Sequence, residues 1–283
     1  MQTIKYNVIN IHTTCYKKLF LFISIGVFSL TIYHGFFSNK LTIRYKRISI
    51  EKSQHSSIAG FYHFAIVGPN WKNIVNEQMS LVYANGLFNS SSNIYVTGLG
   101  KIKDNKTAYD LFANPKFIYE YKTRTELYEY PTLKKLENFC FHNNASFVWY
   151  AHSKGSSHSF DFVVSWRAVL NYFVLEQWQL CYKLLSSTNY TTCGAILTYD
   201  RVRKPGWNTY YSGNMWWAKC SHVNRLTRID KFDQKDRYMT EIYVTSEPDI
   251  GHFNCHSVNL HLPISFNKQN ASCTINYPLW WVR

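Results

Sequence analysis

Negative charge is scarce in this 283-residue chain, where 17 Asp and Glu stand against 31 Lys and Arg. The imbalance favours anionic partners such as phosphates, nucleotides, acidic glycans or a membrane surface, and does not choose among them. Basic residues are scattered rather than gathered into a tail or a basic-aromatic repeat, which counts against a dedicated nucleic-acid binder. Several catalytic signatures are missing as well. Without a Gly-x-Ser-x-Gly elbow, the many Ser and His residues do not by themselves make a hydrolase triad. Without His-Glu-x-x-His or paired Cys-x-x-Cys, zinc is not indicated, and no metal ligand set stands out. The phosphate-loop order Gly-Lys-Ser/Thr is absent too; Lys154-Gly155-Ser156 holds those residues in another order. Internal repeats and long low-complexity segments are also lacking.

Aromatic residues are abundant, with 22 Tyr, 19 Phe and 9 Trp. That is ample core material for one large domain or two small ones. Leu19 to Phe37 is a run of about nineteen residues without a formal charge, preceded by Lys17-Lys18 and followed by Lys40, Arg44, Lys46 and Arg47. At 1.5 Å per helical residue it can cross a hydrocarbon core of about 30 Å. It is longer than a usual signal-peptide core and no clean small-x-small cleavage site follows, so it reads as an uncleaved anchor.

Flanking basic residues alone lean towards a cytoplasmic body. The opposite orientation is favoured by five Asn-x-Ser/Thr sequons after the anchor, at Asn89, Asn105, Asn144, Asn189 and Asn270,. Six of the seven cysteines also follow it: Cys140, Cys181, Cys193, Cys220, Cys255 and Cys273, an even set suited to an oxidising lumen,. Cys15, before the anchor, is suited to palmitoylation. The expectation is a single-pass type II protein of the Golgi or ER membrane, with residues 1–18 as cytosolic tail, 19–37 as anchor, 38–60 as stem and 61–283 as the lumenal domain. Short local loops make Cys181 with Cys193 and Cys255 with Cys273 the expected disulfides, leaving Cys140 with Cys220.

Within the body, Phe61 to Val67 is a short apolar run stopped by Gly68-Pro69-Asn70, a strand and a turn. Trp71 to Asn85 has helical spacing and ends at Gly86. Asn93 to Thr97 is another strand, so the segment forms a βαβ unit, which implies a parallel sheet. Phe117 to Tyr121 suits a third strand. Pro131 opens a helix with Leu133, Leu136 and Cys140 on one face. It leads into the strand at Phe147. Phe162 to Leu185 has a helical pattern, as one bent helix or two short ones, with Trp166, Val169, Leu170, Phe173 and Trp178 as core candidates. Gly194 to Tyr199 reads as a strand, Ser221 as the cap of a short helix to Leu226, Arg225 to Asp236 as a surface loop, and the tail from His252 as β-like.

The chemistry gathers in three clusters. Phe147 to Ala151 is an apolar strand, and His152-Ser153-Lys154-Gly155-Ser156-Ser157-His158 follows it with a cation, imidazoles, hydroxyls and a flexible Gly. In open α/β sheets ligands bind just beyond the carboxyl ends of strands. The same composition also suits an ordinary polar loop. Trp166-Arg167 belongs with this cluster. The second cluster is Tyr211-Ser212-Gly213-Asn214 with Trp216-Trp217. The third is Glu241. Flat aromatic faces, Asn, Ser and Arg suit a sugar; cations and backbone N–H groups near a Gly suit a nucleotide diphosphate. On a strand Trp216 and Trp217 point to opposite faces, which predicts one core and one site residue. Glu241 is equally suited to an i−4 ion pair with Arg237 on a helix.

Tyr150-x-His152-Ser153-Lys154-Gly155, Ser165-Trp166-Arg167, Ser212-Gly213-Asn214-Met215-Trp216-Trp217-Ala218 and the late Glu241 resemble a group of glycosyltransferase-like proteins. That group has the pattern Tyr-x-His-Thr-Lys-Gly, Trp-Arg, Ser-Gly-Asn-Phe-Trp-Trp-Ala and a late Glu. The first motif is also similar to the His-Thr-Lys element of bacterial rhamnan-synthesis glycosyltransferases. The resemblance implies an α/β, GT-A-like (Rossmann-like) fold, with a mostly parallel sheet and flanking helices, acting on a nucleotide-sugar donor and a glycan or glycoprotein acceptor. It implies donor binding by His152, Ser153, Lys154, Gly155 and Arg167, sugar or acceptor binding by Ser212, Gly213, Asn214, Trp216 and Trp217, and base catalysis by Glu241. Most GT-A enzymes place Asp-x-Asp after the strand equivalent to Phe147 to Ala151 to hold a divalent cation. Here His152-Ser153-Lys154 stands there, so a metal-independent reaction and an Mn2+-assisted one both stay open. A catalytically inactive glycan-binding or scaffold protein is the alternative.

Overall fold

The apolar runs pair into one sheet. The computed structural model describes residues 57–157, 160–198, 209–247 and 252–254. Strand β1 (Ile58–Ala65) pairs in parallel with β2 (Ser91–Leu99) on one side and β4 (Phe147–His152) on the other. Strand β3 (Phe117–Lys122) pairs in parallel with β2. Strands β5 (Thr192–Gly194), β8 (Trp216–Lys219) and β9 (His252–Asn254) complete the order β3-β2-β1-β4-β8-β5-β9, with β8 antiparallel to both neighbours. A separate two-stranded ribbon joins β6 (Leu197–Thr198) to β7 (Tyr210–Tyr211). The fold is therefore α/β with a mostly parallel central sheet.

Helices cover both faces, as the continuous apolar strands require. Under one face lie α1 (Trp71–Ala84), α5 (Asp161–Asn171), a π-helical turn at Tyr172–Glu176 and α6 (Trp178–Ser187), packed on Tyr62, Phe64, Trp149 and Trp217. The short α2 (Leu87–Ser90) and α3 (Asn105–Leu111) contribute Leu87 and Ala108 to the same core. Under the other face lie α4 (Tyr130–His142) and α7 (Cys220–Val223), packed on Phe61, Val148, Tyr150 and Trp216. Next to them is α8 (Met239–Ile242). The split follows strand alternation: neighbouring residues such as Phe61 and Tyr62 serve opposite cores. Pro131 sits in the first turn of α4, and Leu133, Leu136 and Cys140 are buried on its inner face.

Several boundaries move. Strand β1 begins at Ile58, inside the segment expected as stem, because Ile58, Ala59 and Gly60 already pair with β4. The strand expected over Gly194 to Tyr199 is two short pieces, broken at Ile196 by a positive φ of 60°; Tyr199 lies outside the described residues. Ser221 is not a cap: Lys219 precedes α7, with no side-chain cap bond. The charged stretch from Arg225 is not all surface, since Ile229 is buried and its N–H donates to Glu137 Oε1 at 2.8 Å. The bend expected between Phe162 and Leu185 is the π-helical turn.

Two disulfides close where expected, Cys140–Cys220 between α4 and α7 and Cys181–Cys193 between α6 and β5. Cys255 and Cys273 lie outside the described residues, as do Cys15, Asn270, His158 and the expected anchor at 19–37. Among the described residues no helix is long and apolar enough to cross a membrane. Asn89, Asn144 and Asn189 are exposed; Asn105 is half-buried and accepts a bond from the Tyr119 hydroxyl at 3.0 Å.

Candidate active site

The strand order places a switch point between β1 and β4. From β1 the chain winds outward through β2 and β3, then returns to β4 on the other side of β1. Crevices at the carboxyl ends of such strand pairs are where α/β proteins bind ligands. His63 of β1 and His152 of β4 are register partners at this point. Beyond them the chain turns into the His152 to Ser157 loop. An amide and a hydroxyl of Ser153 hold it to β1: Ser153 N–H donates to His63 O at 3.0 Å, and the Ser153 hydroxyl accepts from Ala65 N–H at 3.3 Å. Ser153 is thereby a buried loop anchor. Gly155 has φ 90°, a left-handed turn suited to glycine,.

A carboxylate missed by the sequence reading lies at the centre. Glu129, immediately before α4, accepts the Tyr150 hydroxyl at 2.6 Å and Asn214 Nδ2 at 2.6 Å, and its Oε1 is 3.7 Å from His152 Nδ1. Burial pushes its carboxyl up, but the imidazoles of His152 and His63 and the bonds from Tyr150 and Asn214 outweigh that, so Glu129 is held below the usual carboxylate range. His152 Nε2 donates to the Gly213 carbonyl at 2.7 Å, which fixes the Nε2–H tautomer,. Burial lowers its pKa, with Lys154 adding to the effect and Glu129 opposing it. His63 bonds Thr132 Oγ1 through Nδ1 at 2.8 Å, and burial lowers its pKa to about 4.

Lys154 and Glu241 lie within electrostatic reach of each other. The Lys154 ammonium lies 3.8 Å from the centre of the Trp166 ring,. Burial lowers its pKa, with Glu241 and then Glu129 pulling the other way. Glu241, on α8, is shifted upward by burial despite Lys154 and Arg237. The two carboxylates are thus shifted in opposite directions, Glu129 below its ordinary value and Glu241 above it, the pattern that separates electrostatic from acid–base roles,. The expected helical pair of Arg237 with Glu241 does not form: Arg237 precedes α8, stacks 4.7 Å from the Tyr238 ring centre and donates to its hydroxyl at 2.8 Å.

Other expected site residues serve the scaffold. Arg167 donates to Glu77 Oε2 at 3.1–3.2 Å and to the Lys154 carbonyl at 3.4 Å, so its guanidinium props up the loop from below. Trp216 and Trp217 do point to opposite faces, but both are fully buried, correcting the expectation of one site tryptophan. Trp216 Nε1 donates to Asn214 Oδ1 at 2.8 Å and Trp217 Nε1 to the Val174 carbonyl at 2.9 Å, so indole N–H groups too are committed inside. Ser212, Gly213 and Asn214 form the turn between β7 and β8. Gly213 (φ 91°) and Asn214 (φ 46°) are both left-handed, and a Cβ at Gly213 would lie 2.6 Å from Leu170 Cδ1. Ser212 is buried, and its carbonyl accepts from Trp166 Nε1 at 3.3 Å.

The structure therefore gathers His152, Lys154, Asn214 and Glu241 around the unforeseen Glu129, and leaves Arg167, Trp216 and Trp217 beneath. A helix between β3 and β4 must start near the carboxyl edge of the sheet, so a carboxylate just before Pro131 was the available signal for Glu129. Among the described residues no group of three or more His, Cys, Asp or Glu is placed to hold a metal ion.

A family model described as a domain of unknown function, DUF8361, matches residues 61–271. No curated protein matches the chain. Among solved structures, 4-diphosphocytidyl-2C-methyl-D-erythritol synthase from Anaerococcus prevotii DSM 20548 is similar at 10% identity and TM-score 0.40, over 75% of this chain and 94% of that one. HddC from Yersinia pseudotuberculosis is similar at 10% identity and TM-score 0.39, over 71% and 90%.

Proposed function

The chain belongs to the DUF8361 family, and we propose from its site that it is a nucleotide-sugar-dependent glycosyltransferase of GT-A type. In this proposal it transfers a sugar to a glycan or glycoprotein acceptor in the secretory pathway, as a type II membrane protein with a lumenal body. The observation that supports the reading best is the placement of a half-buried cation, Lys154, on the loop that follows β4 at the sheet's switch point, with the Glu241 carboxylate within its electrostatic reach. Exposed sequons at Asn89, Asn144 and Asn189 and two closed disulfides support the lumenal placement,.

The chemistry assigned to the site is a displacement at the anomeric carbon. An acceptor hydroxyl oxygen bonds to that carbon, the bond to the phosphate oxygen breaks, and the electron pair leaves with the nucleoside diphosphate. Lys154 stabilises the growing phosphate charge, where a metal-bound GT-A site would use a cation. Glu241 takes the hydroxyl proton, as in an inverting reaction. Asn214, fixed by Glu129 and Trp216, shapes the sugar pocket.

Thermal unfolding with UDP, GDP or CMP, each with and without manganese, tests this. A ligand at a hundred times its dissociation constant adds about 2.7 kcal/mol. Stabilisation by one nucleotide is the expected result. Stabilisation by glycans but by no nucleotide would instead favour a non-catalytic glycan-binding protein.

A further inference from the structure

His152 is expected from its motif to touch the diphosphate, yet neither ring nitrogen is directed at an open ligand site. Nε2–H is committed to the Gly213 carbonyl at 2.7 Å, so a second proton can be added only at Nδ1. Nδ1 faces Glu129 Oε1 at 3.7 Å, and that carboxylate is held in place by Tyr150 and Asn214, each at 2.6 Å. An imidazolium formed there would sit beside a ready counter-charge without rearrangement.

Building on the transferase reading, we propose that binding of a nucleoside diphosphate over Lys154 is coupled to uptake of one proton at His152 Nδ1, with the Glu129 carboxylate as the positioning counter-charge of the imidazolium. The proton comes from solvent buffer, and no bond other than N–H forms. The charges around the ring define the direction of coupling. Lys154, on the following loop, opposes protonation; Glu129, before α4, favours it; His63 on β1 is its buried register partner. Tyr150 of β4 keeps its proton, as burial and Glu129 hold its pKa well above the ordinary value. From α1 and α5 the Glu77–Arg167 ion pair approaches the Lys154 carbonyl. Glu241 on α8 acts on Lys154 and Glu129. A diphosphate neutralises Lys154, whose charge repels a proton on His152, and adds negative charge of its own. Both effects raise the affinity of Nδ1 for a proton.

Calorimetric titration of the full chain with UDP and GDP in two buffers of different ionisation enthalpy reads the coupling directly. The expected result is an enthalpy that changes with the buffer in the sense of proton uptake, and an affinity that falls by up to about tenfold per pH unit as pH rises through the coupled range. Glu129→Gln keeps the shape and an acceptor oxygen but removes the charge. It should abolish the buffer dependence and lower the pKa of the His152 ring followed by NMR in the free protein. Nucleotide binding with no buffer dependence in the wild type, or an unmoved His152 pKa in Glu129→Gln, overturns the coupling and leaves the transferase reading standing. Failure of both nucleotides to bind contradicts that reading and the coupling together.

Discussion

Adjacent residues of β1 feed two buried hydrogen-bond networks on opposite faces of the sheet. Under α1, the Tyr62 hydroxyl donates to Gln78 Oε1 at 2.6 Å; Gln78 Nε2 donates to Asn171 Oδ1 at 2.9 Å and to the His152 carbonyl at 3.0 Å. Asn171 then donates to Glu77, which also pairs with Arg167. Beside α4, His63, Thr132, His152, Glu129, Tyr150 and Asn214 form the other network. Both satisfy their buried polar atoms, as burial demands. The first relies on a phenol, amides and a single ion pair, and contains no imidazole side chain. The second holds two imidazoles and a carboxylate, next to Lys154 and Glu241. Satisfaction alone therefore does not mark a scaffold; what separates the two is whether a member can gain or lose a proton within reach of the crevice.

If that distinction holds, Glu241→Gln lowers turnover by about 10²–10⁴ while nucleotide affinity persists, because only the proton acceptor has gone. Steady-state rates together with binding isotherms check this.

A second consequence is acid sensitivity confined to the α4 network. The His63 ring titrates near 6.5 when unfolded and at about 4 when folded. Between those values the unfolded chain holds more protons, so the contribution of neutral His63 is complete above pH 6.5 and is lost as pH falls to about 4. The loss is on the order of 3 kcal/mol. His63→Gln should flatten this limb in denaturant titrations run across the pH range.

Arg167→Ala attacks the other network. With Glu77 two-fifths exposed at its side chain (41%), water screens the orphaned carboxylate, and the loss is about 2 kcal/mol, or about 4–8 °C in Tm. Nucleotide affinity should fall less than Lys154→Ala makes it fall.

The smallest effects come from the tryptophan pair. Trp216→Phe and Trp217→Phe each remove one buried indole hydrogen bond, costing about 1 kcal/mol of stability by calorimetry. Only Trp216→Phe should also lower turnover, since its N–H holds Asn214.

The contrast also explains what the sequence disclosed. Strands β1 to β4 and helices α1 and α4 were legible because short apolar runs stop at turn residues and the helical stripes are regular. Cys181–Cys193 followed from its short loop, and Cys140–Cys220, 80 residues apart, only as the pair left over. The helix α3 was not anticipated, since Asn105–Leu111 buries only Ala108 and shows little periodicity. Of the site, the loop after β4 was legible from its abrupt change of character. Arg167 looked like a ligand cation because its partner Glu77 is 90 residues away. Glu129 was passed over, because Tyr150 and Asn214 reach it only through the pairing of β1, β4 and β8. Trp216 and Trp217 alternate as a strand must, but burial on both faces depends on α4 and α6 closing over them.

The central claim is that Lys154 supplies the positive charge for a nucleoside diphosphate. Binding of UDP and GDP to the wild type and to Lys154→Ala, in the presence of a chelator, tests it most directly. The account predicts metal-free binding by the wild type and at least about a tenfold loss in Lys154→Ala, the equivalent of about 1.4 kcal/mol. Binding that requires manganese, or that is equal in the two proteins, would contradict it.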